Sequence, residues 1–198
     1  MESGGQLLGA RREVAVLFAD ISGFTRLVET LDPEIVYAMV RPLMDELVRL
    51  VHLHDGEIQQ VLGDGFMSLF GLRYAHGGEA ERAVEAGLAL VRAGIGGTSP
   101  PVHVGIEYGE VLVTPSWEPA GFGVWGRPVN LAKRLCDLAG PGEIKVGPAA
   151  FARAGHRLST ARPVRLRVKG ITSAVVAHRV LGTGSAPVAT GGYLLGLP

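Results

Sequence analysis

The chain has 198 residues, with 19 Lys and Arg balanced by 19 Asp and Glu, a formal net charge of zero and 47% hydrophobic residues. That length carries one domain with a real core, and the charge balance excludes a general nucleic-acid-binding surface. No apolar run is long enough to span a membrane, the start of the chain has no signal-peptide pattern, and the one cysteine, Cys136, has no partner for an internal disulfide, so a cytoplasmic protein is expected.

Residues 1–12 read as a lead-in. Val14 to Ala19 is an apolar run that ends in the carboxylate of Asp20. A small turn and a short helix, Phe24 to Leu31, follow at once, placing backbone N–H groups beside that carboxylate. Asp32-Pro33 supplies an N-cap and a proline at the first position of a second helix. Val36, Val40, Leu43, Leu47, Leu50 and Val51 mark its buried face, and Pro42 inside it predicts a kink. Ile58 to Leu62 reads as a strand, Gly63-Asp64-Gly65 as a turn, and Phe66 to Phe70 as the returning strand. Glu79 to Ala93 is amphipathic at helical spacing, and residues 94–101 form a loop. Val102, Val104, Ile106 and Tyr108 alternate with polar residues, Gly109-Glu110 reads as a tight hairpin turn, and Val111 to Thr114 as its second strand. Residues 115–125 read as a loop holding Trp117 and Trp125, Gly126 to Leu138 as a helix, and 143–180 as short strands and a turn of helix. Residues 182–198 are a Gly-, Ala- and Pro-rich tail. This order predicts an α+β domain over 13–181, a mostly antiparallel sheet with helices on one face.

Two isolated aspartates, each at a strand end or turn, point to a two-metal phosphate site. Asn130 and Arg134 lie i, i+4 on the third long helix, beside an apolar face of Leu131, Leu135 and Leu138. A guanidinium fork suits phosphate, and an amide suits a sugar or ring oxygen. Taken singly, Asp20 reads as a helix cap, Asp64 as turn chemistry and Arg134 as a solvated helix face; taken together they specify a site. The four isolated histidines, among them His103, read as structural.

The segments Phe18-Ala19-Asp20-Ile21-Ser22-Gly23-Phe24-Thr25, Gly63-Asp64-Gly65 and Gly126-Arg127-Pro128-Val129-Asn130-Leu131-Ala132-Lys133-Arg134-Leu135 resemble the class III nucleotidyl cyclases, the adenylate and guanylate cyclase catalytic domains. The resemblance runs in order from about Val14 to Val180. It implies a ferredoxin-like core working as a head-to-tail homodimer with shared active sites. It matches Asp20, Asp64 and the Ile21 carbonyl to ligands of two divalent cations, Mg²⁺ or Mn²⁺. It matches Asn130 and Arg134 to the pair that reaches the transition state from the other subunit, and Gly23, Phe24 and Thr25 to the triphosphate turn. Lys169 falls near the triphosphate lysine. The implied reaction makes a 3′,5′-cyclic mononucleotide and pyrophosphate from a nucleoside triphosphate.

The base-reading positions depart from the family. An adenine-reading lysine and aspartate would stand where this chain has Gln60 and Gly123, and the guanine-reading Glu and Cys are also missing. Purine and pyrimidine substrates stand level on this reading. The pyrimidine option resembles the bacterial antiphage enzymes that make cyclic UMP or cyclic CMP. Two alternatives remain: a catalytically degenerate cyclase fold that binds nucleotide and regulates a partner, and a cyclic-dinucleotide enzyme, which Gly65 and the Asn130–Arg134 helix disfavour.

Overall fold

The continuous apolar run near the N-terminus becomes the central strand of a sheet covered on both faces, which is why it does not alternate. This strand is β1 (Arg11–Ile21), with Val14, Val16 and Phe18 directed into one core and Ala15, Leu17 and Ala19 into the other. The structure, a computed structural model, describes residues 9–95, 99–115, 122–167 and 174–184. Lys169, Trp117 and the tail from 185 onward therefore lie outside the described residues.

After β1 come α1 (Phe24–Thr30), α2 (Pro33–Leu53), β2 (Gly56–Val61), β3 (Gly65–Phe70), α3 (Glu79–Ala93), β4 (Val102–Pro115), β5 (Phe122–Trp125) and α4 (Arg127–Asp137). The chain continues through β6 (Ile144–Val146), α5 (Pro148–Ala154), a 3-10 turn, β7 (Leu158–Thr160), β8 (Val164–Leu166) and β9 (Val175–Thr183). The sheet order is β2-β3-β1-β4-β6-β9-β7, with β5 on β4 and β8 on β9. Of these pairings only β4–β6 is parallel, so the mostly antiparallel α+β architecture expected from sequence is the one observed.

Helices lie on both faces, not on one. α2, α3 and α5 pack through Leu47, Val84, Leu90 and Ala150 against Leu17, Phe66, Phe70 and Ile106. α4 lies on the opposite face, where Ala132 and Cys136 meet Val14, Val16, Phe18 and Met67. Cys136 is fully buried, and burial pushes its thiol up to about 12, which makes it a small hydrophobe. α2 runs unbroken through Pro42. The Asp32 side chain makes no capping bond, and its backbone carbonyl accepts from the N–H groups of Ile35 and Val36.

The hairpin read at Gly109-Glu110 does not exist. β4 is one 14-residue strand, paired with β1 without a break from Arg11↔Leu112 to Ile21↔Val102. Its glycines serve close packing instead of a turn. A side chain at Gly105 would run into the backbone of Ala132 and Cys136, and one at Gly109 would come 2.8 Å from the Pro128 ring. Both glycines let α4 lie directly on the strand. Val102, Val104, Ile106 and Tyr108 face the first core, while Val111 and Val113 face the second. The strand changes its buried side and never reverses. The loop read at 115–125 likewise contains β5, which pairs Leu112↔Trp125 through Pro115↔Phe122.

Behind α4, Glu143 ties β6 to β9. Its carboxylate accepts from Lys145 Nζ at 2.9 Å, the Gly140 N–H at 3.0 Å and Arg179 Nη1 at 2.9 Å. The Lys145 bond, with the Gly140 amide and Arg179, holds this carboxyl down from 4.5 to about 2. A lowered carboxyl pKa stabilises the fold above the unfolded value and is lost as pH falls through the folded one. Wild-type protein is therefore expected to lose on the order of 2 kcal/mol between pH 4.5 and 2, allowing for solvent screening at the half-exposed Arg179. Glu143→Gln should flatten that limb in a urea-unfolding series.

Candidate functional site

The site starts where β1 ends. The Ile21 N–H donates both to Asp20 Oδ1, at 2.9 Å, and to the Asp64 carbonyl, at 3.2 Å. One backbone donor thus pins the β2–β3 turn to the end of β1. Gly65 makes the approach possible, since it pairs with Asp20 and a Cβ there would stand 2.5 Å from the Ala19 carbonyl. The Leu62 N–H closes the turn on the Gly65 carbonyl at 2.7 Å.

This brings the two acids within hydrogen-bonding reach of each other. Burial first, then the charge of Asp20, raises the Asp64 carboxyl above its ordinary value. Two carboxylates drawn together, with the Ile21 backbone beside them, offer an oxygen-only donor set of the kind that suits a hard divalent cation. Among the described residues no group of three or more His, Cys, Asp or Glu side chains could hold a metal by itself. An ion here would complete its shell from water and phosphate, as Mg²⁺ commonly does.

Two neighbours were given no role at the site by the sequence, Lys133 lying unremarked within a motif and His103 reading as structural. Lys133 on α4 places Nζ 3.6 Å from Asp20 Oδ2 and 2.7 Å from Asp137 Oδ1. Burial works to lower its pKa, and the bond and charge of Asp137, with Asp20 behind them, outweigh that and raise it. His103 is the register partner of Asp20 on β4, and its Nδ1 lies 2.9 Å from Ser22 Oγ. Burial lowers the imidazole's pKa, which favours the neutral ring holding the turn after Asp20. The motif containing Lys133 was legible, but its aim toward Asp20 depends on α4 crossing β4 at Gly105.

The remaining sequence-derived residues divide by position. Gly23 is the left-handed residue (φ 76°) that opens α1, with Phe24 and Thr25 on the helix itself. Asn130 and Arg134 are exposed on α4. Arg134 Nη1 is 3.5 Å from Asp137 Oδ2, and neither residue bonds to Asp20, Ile21 or Asp64 within the chain. Lys169 is outside the described residues.

β2 and β5 belong to distant positions in the sheet, yet they meet. A bulge between Ile58 and Gln60 turns Gln59 toward β5, where its Nε2 donates to the Phe122 carbonyl at 2.8 Å. Gln60 itself is exposed. Beside Gly123, the space for a side chain is already taken. A Cβ there would lie 2.8 Å from Thr114 Oγ1 and 2.9 Å from Trp125 Nε1, two atoms that hydrogen-bond to each other at 3.0 Å.

The class this arrangement defines is an α+β domain on a mostly antiparallel sheet, with an acid pair where β1 meets the β2–β3 turn and α4 laid across it. Residues 9–178 match the family described as the adenylate and guanylate cyclase catalytic domain, and the chain belongs to it. The guanylyl cyclase Cya2 has the same fold, with a TM-score of 0.82 and 30% identity over 91% of this chain and 97% of its own. The adenylyl cyclase CyaB from P. aeruginosa gives a TM-score of 0.79 and 26% identity over 88% of this chain and 96% of its own. An uncharacterised Mycobacterium tuberculosis protein is 30% identical over 171 residues, 82% of this chain and 32% of its own length. The chain thus spans about a third of that relative. None of the described helices is long and apolar enough to cross a membrane.

Proposed function

We propose that this domain converts a nucleoside triphosphate into a 3′,5′-cyclic mononucleotide and pyrophosphate, at sites shared between two copies of the chain. The observation that carries the reading is the acid pair Asp20–Asp64, locked together through the Ile21 amide. Asp20, Asp64 and the Ile21 carbonyl would hold the divalent cations, Mg²⁺ or Mn²⁺, which when bound acidify the ribose 3′-hydroxyl and neutralise phosphate charge.

The chain's own groups do the rest. Gly23, Phe24 and Thr25 at the start of α1 receive the triphosphate, and Lys169 is proposed to join them. The 3′-oxygen attacks the α-phosphorus as the bond to the bridging oxygen breaks. Pyrophosphate departs, and the hydroxyl proton passes to solvent. Arg134 of the second copy neutralises charge on the α-phosphoryl oxygens, and Asn130 orients the ribose. Dimerisation is supported by an apolar groove of about 460 Å³ between α1, α2 and the β2–β3 turn, flanked by exposed Val28, Tyr37 and Val61.

Base recognition departs from the adenine and guanine patterns. Gln60 both donates and accepts, and the Thr114–Trp125 pair occupies the place of a side chain at 123. Restoring a carboxylate by Gly123→Asp alone is expected to lower turnover about tenfold without creating adenine preference, because the new side chain collides with Trp125. Initial rates on four nucleotides check this, and a gain in ATP selectivity would contradict it.

The test of the function is direct. The protein is incubated with ATP, GTP, CTP and UTP and Mn²⁺, and the product is identified by mass. A cyclic mononucleotide is expected. Nucleotide binding without any turnover would favour a regulatory, non-catalytic module, for which the altered base positions are the supporting feature.

A further inference from the structure

Asn130 and Arg134 are exposed and make no direct bond to the acid pair of their own chain, whereas Lys133 between them reaches Asp20. Its Nζ is held 2.7 Å from Asp137 and leans to 3.6 Å from Asp20. Asp137 also lies 3.5 Å from Arg134. A line of alternating charge therefore runs Arg134–Asp137–Lys133–Asp20 across the end of α4.

We propose that Lys133 is a tethered counter-charge for the acid pair, standing at Asp20 until a divalent cation arrives and then withdrawing onto Asp137. It thereby sets the cation concentration at which the site assembles. This rests on the reading of Asp20 and Asp64 as metal ligands.

Three observations carry it. The Ile21 N–H holds Asp20 and the turn carrying Asp64 together, and Lys133 Nζ, 3.6 Å from Asp20 Oδ2, is the cation set beside them. Other positive charge is scarce at Asp20: the Nδ1 of its cross-strand neighbour His103 is engaged with Ser22 Oγ, and Arg134 lies against Asp137. The two contacts of Lys133 are unequal. The short one is to its i, i+4 helix neighbour Asp137, so release from Asp20 leaves the ammonium still paired. An ion binding at Asp20 repels the ammonium, and each weakens the other.

Lys133→Met keeps the stem and removes the charge. Mn²⁺ is titrated into metal-free protein without nucleotide, followed by calorimetry and by melting temperature. The variant is expected to half-saturate at roughly five- to tenfold lower Mn²⁺ than the wild type. In EDTA it should melt below the wild type, and the loss should shrink in an Asp20→Asn background. Lys133→Gln should show the same shift in Mn²⁺ affinity. Unchanged or weaker Mn²⁺ binding in both variants overturns the proposal. Asp20→Asn separates the two readings. If it abolishes Mn²⁺ binding while Lys133→Met fails to tighten it, the ligand assignment stands and the counter-charge falls. If Asp20→Asn binds Mn²⁺ as the wild type does, both fall.

Discussion

Asp64→Asn is expected to abolish cyclisation and yet leave the metal-free protein at least as stable as the wild type. The activity loss follows from removing one of two charged ligands where phosphate charge must be neutralised, roughly 10³-fold or more. The stability follows from the opposite side of the same arrangement. Burial and the charge of Asp20 raise the Asp64 carboxyl above 3.8 in the folded state. An acid with a raised folded pKa is disfavoured as a carboxylate, so its cost to the fold grows as pH rises above the unfolded value and is complete above the folded one. At neutral pH in EDTA, asparagine keeps the shape and removes that cost. A rise of a degree or more in melting temperature is expected, together with a smaller pH dependence from pH 4 upward. Calorimetry in EDTA beside a product assay in Mn²⁺ measures both. Retained turnover would remove Asp64 from the reaction. A melting temperature several degrees lower would mean that its side chain supports the turn. Functional sites commonly trade stability in this way.

The same site shows which parts of the molecule a linear reading reaches. Asp20 and Asp64 were legible because one ends an apolar strand and the other sits in a Gly-Asp-Gly turn, and both are local features. The 3.6-residue periodicity of α2 and α3 was legible for the same reason. β4 was misread because its two signals carry more than one meaning. Glycine marks a turn when the chain reverses and a close approach when another backbone lies on it, and Gly105 and Gly109 are of the second kind. The shift of apolar positions between Tyr108 and Val111 looks like a reversal, but it records a strand covered on one face by α3 and α5 and further along on the other. Helices on both faces follow from that crossing. Lys133 was in plain view inside a recognised segment, and its partner Asp20 lies 113 positions away. Only the seat of α4 on β4 brings them together. Gln59 and the bulge that turns it to Phe122 had no local signal, because a one-residue bulge leaves the apolar pattern of β2 almost unchanged.

Mixing Asp20→Ala with Arg134→Ala protein is expected to restore activity that neither has alone. Within one chain the two groups make no direct contact: Asp20 sits at the end of β1, and Arg134 is exposed on α4, 3.5 Å from Asp137. In the proposed head-to-tail pair, two-fold symmetry would give each site the acids of one copy and the helix of the other. In a mixed dimer one site then carries both substitutions and its twin carries none. Random exchange at equal amounts makes half of the dimers mixed, so the recovered rate should approach about a quarter of the wild type. Each substitution should preserve the fold. Arg134 is exposed, and Asp137 keeps its bond to Lys133 when the guanidinium is removed. Without Asp20, Lys133 likewise retains Asp137 as its partner. The measurement is the rate of cyclic product against mixing ratio, with a maximum at equal amounts. A flat, inactive series in mixtures proven to exchange subunits would show that Arg134 does not serve its neighbour's acids, and the site would then have to close within a single chain.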